Sequence, residues 1–572
     1  MGLQMNANQL SRHLGLALFL SVTASVPAAA SGAEPGKAFR FDLLLIGGGM
    51  HTCSSRQLEY CRHPERLPTT PPTRYRSNKE RLTELRQSPY WQNPARRDGV
   101  LAYLEKQPLH GDAEAVGQAL GMDEDMPDWN LVTDTLEERS PDTRERVDFA
   151  DNRDDDTRAL VQAFLAEARL RAGGARPYIV ITTASSRDSF AAVDFYRQLF
   201  QQAGADTAWL ALDSAVQAAR GDKDCEHLAQ RRAELQGAYA REHVYPTLAL
   251  AAREACSNPE RNLTALRRAH GVFFNGGDQS LVRRAWRKTD GTDSPELALL
   301  RQRLARHELV VAGTSAGTAV MSGGMGVPMI ASGDSLAALG TGAFAMAPLG
   351  GTCQGACRVP EPEEPLTYAP DGGLGLFPFG PLDTHFAERG RELRLLRLAG
   401  ATRQRLAVGV DENTALAVRI DPSASPFRVL GAGGVWFAEL AQPVETTTPW
   451  QLNATNVHYL RHGQSGVFNG LRLSLSGSDC RRPASAGKTL DSPPDLLAPR
   501  AFADWASAVA SQPGGHAETL VGGYRLVLTS TTPGNAPLCP PGSGYRGLRV
   551  DLQPRLDSPG AILKAGHGLE NQ

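Results

Sequence analysis

No stretch of this chain is apolar for the roughly 20 residues that a bilayer-spanning helix needs. The run Leu14 to Val22 falls far short of it, and no later segment reaches that length. Neither sign of charge is in excess: 60 Lys plus Arg face 62 Asp plus Glu, a formal net charge of -2. The electrostatic footprint of a nucleic-acid binder is therefore missing. No internal period points to a repeat array. Cysteine is scarce, at eight in 572 residues. The pair in Cys353-Gln-Gly-Ala-Cys357 has the wrong spacing for a zinc knuckle and lacks a second pair with flanking histidines. Neither a metal nor any other cofactor is expected.

What is present begins with an export signal. Arg12 and His13 precede the apolar run, and Ala28-Ala-Ala30 offers a small-residue cleavage site before Ser31, so residues 1–30 read as a signal peptide. The mature protein is then expected in the periplasm or outside the cell, without a membrane span. All eight cysteines (53, 61, 225, 256, 353, 357, 480 and 539) follow the signal. An even number in an exported chain suggests disulfides, and nearest-neighbour pairing is the reading adopted.

The length exceeds what one ordinary core supports, roughly 250 to 300 residues, so one large domain with additions is expected. Short apolar runs, Leu43–Ile46, Tyr178–Thr182, Ala208–Leu212, Gly271–Gly276 and Leu309–Ala312, alternate with helical stretches such as 157–172, 189–203 and 281–286. That grammar predicts an α/β core with a parallel sheet covered by helices on both faces. A charged, Pro-containing stretch of about 51–156 interrupts it after the first strand, as either a lid or wall of a site or a solvated excursion. After Leu416, alternating segments divided by turns predict antiparallel strands, with a β-rich C-terminal extension over 471–572.

Chemistry concentrates at Gly313-Thr-Ser-Ala-Gly317, between an apolar strand and a helix start. Gly-x-Ser-x-Gly at such a corner is a nucleophile elbow: small flanking residues let strand and helix approach, and the serine hydroxyl is exposed. A serine needs a base in hydrogen-bond reach and an acid to hold that base. His385, at a strand end before an expected helix over 387–398, suits the base, and Val408-Gly-Val-Asp-Glu412 ends in two acids. Arg389, Arg391 and Arg394 follow the histidine; they are either a solvated face or a carboxylate-binding set.

Together Phe274-Asn-Gly-Gly-Asp-Gln279, Gly313–Gly317, Asp383-Thr-His-Phe386 with its three arginines, and Gly409-Val-Asp-Glu-Asn-Thr-Ala-Leu416 resemble the cyanophycinase family of serine peptidases, relatives of bacterial aspartyl dipeptidases. The resemblance covers 40–50 and 157–470, within a catalytic domain of 40–470. It implies Ser315 as nucleophile, His385 as base and Glu412 as third member. Gly277 and Ala316 would supply oxyanion N–H groups, and Gln279, Asp383, Thr384, Arg389, Arg391 and Arg394 would line the substrate pocket. Asp411 is the rival acid, expected on the opposite strand face from Glu412. Thr384 stands where the family pattern has Gln, which puts the substrate in question. The implied partner is a peptide or a cyanophycin-like polymer, with a homodimer left open. An aspartyl dipeptidase or esterase on the same scaffold, or a secreted binding protein without catalysis, are the alternative readings.

Overall fold

The computed structural model describes residues 39–69, 73–124, 126, 128–139, 145–349, 365–441, 450–477, 491–512, 514–531 and 544–555. The expected signal segment, 1–30, and Cys353, Cys357, Cys480 and Cys539 lie outside the described residues. The other four cysteines pair as Cys53–Cys61 and Cys225–Cys256.

Two sheets carry the architecture. Their strands in chain order are β1 (Leu43–Ile46), β2 (Tyr178–Thr182), β3 (Asp206–Trp209), β4 (Gly271–Phe274), β5 (Val310–Thr314), β6 (Leu382–Thr384), β7 (Leu406–Val410) and β8 (Thr414–Val418). There follow β9 (Ser425–Gly431), β10 (Gly434–Glu439), β11 (Leu452–Arg461), β12 (Ser465–Asn469), β13 (Arg472–Leu475), β14 (His516–Val521), β15 (Tyr524–Ser530) and β16 (Tyr545–Pro554). Among the described residues the first sheet has nine strands in the order β13-β12-β9-β8-β1-β5-β4-β2-β3. From β1 to β3 every pairing is parallel, and from β1 to β13 every pairing is antiparallel. Parallel strands covered on both faces must be apolar throughout, and β1, β4 and β5 are buried at every position.

Among the same residues the second sheet has seven strands in the order β6-β7-β10-β11-β16-β15-β14. The β-rich extension therefore supplies three of its strands, with β16 pairing antiparallel to β11. The helix Ala501–Ala510 packs Phe502, Trp505 and Val509 into the same apolar cluster as Phe386, Leu393 and Trp436.

Two expected boundaries move. β3 is Asp206–Trp209 and not 208–212, because its ladder partners are Tyr178 to Ile181; the buried run Leu210–Leu212 leads instead to Asp213, which caps the next helix. The helix expected over 387–398 is split into a 3-10 turn, Ala387–Arg389, and a helix, Glu392–Ala401. Gly390 separates them in a left-handed conformation (φ 54°), where a Cβ would lie 2.3 Å from the Leu497 carbonyl oxygen.

The stretch 51–156 is not a bare charged excursion. It carries the Cys53–Cys61 bridge, a small sheet of Thr73–Arg76, His110–Gly111 and Glu137–Arg139, and helices whose Leu85, Leu104, Val116, Val132 and Leu136 form a core of their own. Buried Arg241 anchors it to the main body through Asp134, Glu137 and Asp188.

Candidate active site

Ser315 follows the carboxyl end of β5 at φ 54°, ψ -122°. Such a conformation is costly for a non-glycine residue and persists only when its surroundings enforce it. Here they do: the Ser315 N–H donates to the Ile46 carbonyl at 3.1 Å, and Thr318 Oγ1, one turn on, donates to the same carbonyl at 2.7 Å. A Cβ at Gly313 would meet the Gly317 carbonyl oxygen at 2.3 Å, and one at Gly317 would meet that of Phe274 at 2.4 Å. Steric necessity thus explains both glycines of the elbow. Beside it, the turn after β4 comes so close that a Cβ on Gly276 would lie 3.2 Å from that of Ser315. Gly277 holds φ +143° and is exposed at the cleft.

His385 leaves β6 with its own positive φ of 48°, and its N–H donates to the Gly47 carbonyl at 2.7 Å. Its Nε2 lies 2.7 Å from Ser315 Oγ and its Nδ1 lies 2.5 Å from Glu412 Oε1. A carboxylate only accepts, so Nδ1 carries the proton and Nε2 faces the serine hydroxyl as acceptor. Burial, joined by the charges of Arg389 and Arg391, outweighs Glu412 and holds the imidazole pKa below its ordinary value. At neutral pH the ring is an uncharged acceptor, the state a general base requires.

Glu412 and Asp411, adjacent in sequence, have different surroundings. Asp411 is fully buried and accepts from Tyr459 Oη at 2.5 Å, the Gly434 N–H at 3.1 Å and the Ala387 N–H at 3.2 Å. It faces away from the imidazole that Glu412 contacts.

A cleft of about 340 Å³ opens beside Ser315 and His385, lined also by Gly277, Gln279, Ala316, Asp383, Thr384 and the three arginines. Its wall is not equally free. Arg394 donates from Nε and Nη2 to Asp383 at 2.8 and 2.6 Å, a buried bidentate pair. Burial favours the neutral acid, but Arg394 and Arg391 keep the Asp383 carboxyl below its usual range. Arg391 donates to the Thr384 carbonyl at 2.6 Å, and burial brings its pKa down to about 10, so it remains a cation. Arg389 is exposed. Gln279 Nε2 donates to the Ile330 and Ala331 carbonyls at 3.0 and 2.7 Å, leaving its Oε1 for other contacts. In the sequence the three arginines are alike; the structure commits Arg394 to Asp383.

No family model matches the chain. A cyanophycinase of Trichormus variabilis is 28% identical over 302 residues, covering 52% of this chain and 82% of its own. One of Synechococcus elongatus is 30% identical over 227 residues, covering 40% and 56%. Both relatives support a cyanophycinase-like peptidase. A solved peptidase structure from an acI-B1 Actinobacterium aligns with 54% of this chain and 90% of its own at 17% identity, with a TM-score of 0.30, an overlap too loose to bear on the fold.

Several neighbours of these groups carry no local signal in the sequence. The glycine run after β1 was visible only as a turn, yet a Cβ at Gly48 would strike the His385 ring at 2.3 Å and one at Gly49 would meet Glu412 Oε2 at 2.7 Å. From the stretch 51–156, Asp154 accepts from Asn413 Nδ2 at 2.9 and 2.8 Å, fixing the residue after Glu412. Among the described residues that stretch does not line the cleft; Asp154 reaches the site through Asn413. Glu388 lay in plain view between the histidine and the arginines, while Arg500 had no local signal.

Proposed function

We propose that this chain is an exported serine exopeptidase acting on cyanophycin or another Asp-containing peptide through Ser315, His385 and Glu412. The observation that supports it is the hydrogen-bond chain from Ser315 Oγ through His385 to Glu412 at the wall of an arginine-lined cleft. In this reading Ser315 Oγ attacks the scissile carbonyl carbon while its proton passes to His385 Nε2. The N–H groups of Ala316 and Gly277 take up the charge on the carbonyl oxygen. The C–N bond breaks as His385 returns the proton to the leaving amine. Water, deprotonated by the same imidazole, then hydrolyses the acyl-serine. Glu412 holds the tautomer and offsets the imidazolium charge.

Arg389 and Arg391 suit a substrate carboxylate, which fits an Asp-rich polymer or a free carboxyl terminus. Export rests on the amino-terminal signal and agrees with the two disulfides. Among the described residues no helix is long and apolar enough to cross a membrane.

Ser315→Ala is expected to abolish hydrolysis, a loss of at least about 10³-fold, with the melting temperature unchanged. Retained hydrolysis in that variant overturns the mechanism. The second reading, an aspartyl dipeptidase or esterase, is favoured by Thr384 in place of the family glutamine. Incubating the mature protein with cyanophycin, α-Asp dipeptides and a short ester separates the two by which is consumed.

A further inference from the structure

Glu412 touches His385 with one carboxylate oxygen and is partly exposed, so something else must fix where its backbone lies. Its N–H donates to Glu388 Oε2 at 3.0 Å. Glu388 belongs to the turn Ala387–Arg389 directly after His385. One side chain therefore ties the segment bearing the base to the segment bearing its acid. The arrangement has an electrostatic difficulty. Glu388 is largely buried beside Asp411, and burial, reinforced by that neighbouring carboxylate, pushes its pKa up. A protonated Glu388 is a poorer acceptor for the Glu412 N–H.

A cation from the C-terminal extension answers this. Arg500 Nη1 donates to Glu388 Oε1 at 2.6 Å and approaches Asp411 Oδ2 at 3.3 Å, while Nη2 donates to Tyr459 Oη at 3.2 Å. Its backbone N–H donates to the Ala387 carbonyl at 2.6 Å, on the same turn. Against partial desolvation, Tyr459, Asp411 and Glu388 keep Arg500 charged. Gly390 makes the approach sterically feasible, since a Cβ there would collide with the Leu497 carbonyl just ahead of Arg500. Arg500 does not line the cleft.

We propose that Arg500 and Glu388 are positioning residues for the Glu412–His385 pair, and that the C-terminal extension thereby completes the catalytic machinery it lies outside in sequence. This rests on Ser315, His385 and Glu412 being the reacting set. A site whose acid is displaced by even an ångström loses on the order of 10²-fold in rate, so the effect belongs in kcat and not in KM.

The test compares wild type with Arg500→Ala, Arg500→Lys and Glu388→Gln. Three quantities are measured: the rate of Ser315 labelling by a fluorophosphonate, kcat and KM on whichever panel substrate the wild type consumes, and melting temperature. Arg500→Ala is expected to slow labelling and kcat by about 10- to 100-fold with KM within about twofold. Lys, a single cation without the fork, should recover part of the loss. If Arg500→Ala also melts early, Glu388→Gln decides: the Glu412 N–H and Arg500 meet different oxygens of Glu388, and the amide turns one of them into an NH2 donor facing a donor, so it should be slowed with the fold intact. Wild-type labelling and kcat in Arg500→Ala, or in a folded Glu388→Gln, overturns the proposal, as does a change confined to KM. A wild type that is not labelled at Ser315 overturns instead the underlying reading of the reacting set.

Discussion

Glu392 begins the helix behind His385 at 2% exposure, with its Oε2 lacking a hydrogen-bond partner among the described residues. Burial, with the nearby charges of Asp411 and Glu388, raises its pKa to about 8. The folded state thus holds a proton that the unfolded chain releases near the ordinary carboxyl value. For a raised folded pKa, the stabilisation is complete below the unfolded pKa and is lost as pH climbs through the folded one. Wild-type stability should therefore decline between about pH 4.5 and about pH 8 through this group. Glu392→Gln, uncharged throughout, should lack that component and end more stable than wild type by roughly 2–5 kcal/mol above about pH 8. Denaturant melts across that range check it; parallel pH profiles for the two proteins would refute it. The acids at 388 and 392 were as visible in the sequence as the arginines between them. Sequence could not say which arginine already had a carboxylate, because the answer for Arg394 is Asp383 across a strand-to-helix packing contact.

At the scale of elements, the glycine turn after β1 shows what is legible and what is not. A short apolar run followed by three glycines reads as a strand and a turn, and the strand is there as β1. Its proximity to His385 and Glu412 depends on β8 lying antiparallel on one side of β1 while β5 runs parallel on the other, a long-range pairing that local pattern does not encode. The elbow is readable for the opposite reason: serine, glycines and strand-to-helix change all fall within a few residues. Gly48 holds φ +117° with the His385 ring where its Cβ would be. Gly48→Ala must strain the turn, at about 1–3 kcal/mol, or displace the imidazole. The expected outcome is a loss of about 10²-fold or more in kcat and in fluorophosphonate labelling, with a small fall in melting temperature. Unchanged labelling would mean that the turn is not in contact with the reacting groups.

At the scale of the whole molecule, the C-terminal extension reads in the sequence as a β-rich addition over 471–572, where the family resemblance has stopped. Sheet pairing ties it to the strands before it. β16 lies between β11 and β15 in the second sheet, and its Leu548, Val550 and Leu552, with Leu526 and Leu528 of β15, are fully buried against the layer holding Phe386 and Trp436. Five such side chains contribute about 1.5–3 kcal/mol each, a sum that rivals the roughly 5–15 kcal/mol by which whole domains are stable. Ending the chain after residue 470 would also leave β11 as a long edge strand with its apolar face bare, a template for aggregation. Such a truncation is expected to yield insoluble protein, followed by size-exclusion chromatography of the expressed product. A monodisperse and folded truncated protein would show that the extension is dispensable to the core. If that protein also hydrolysed substrate at the full-length rate, it would remove Arg500 from any part in placing Glu412.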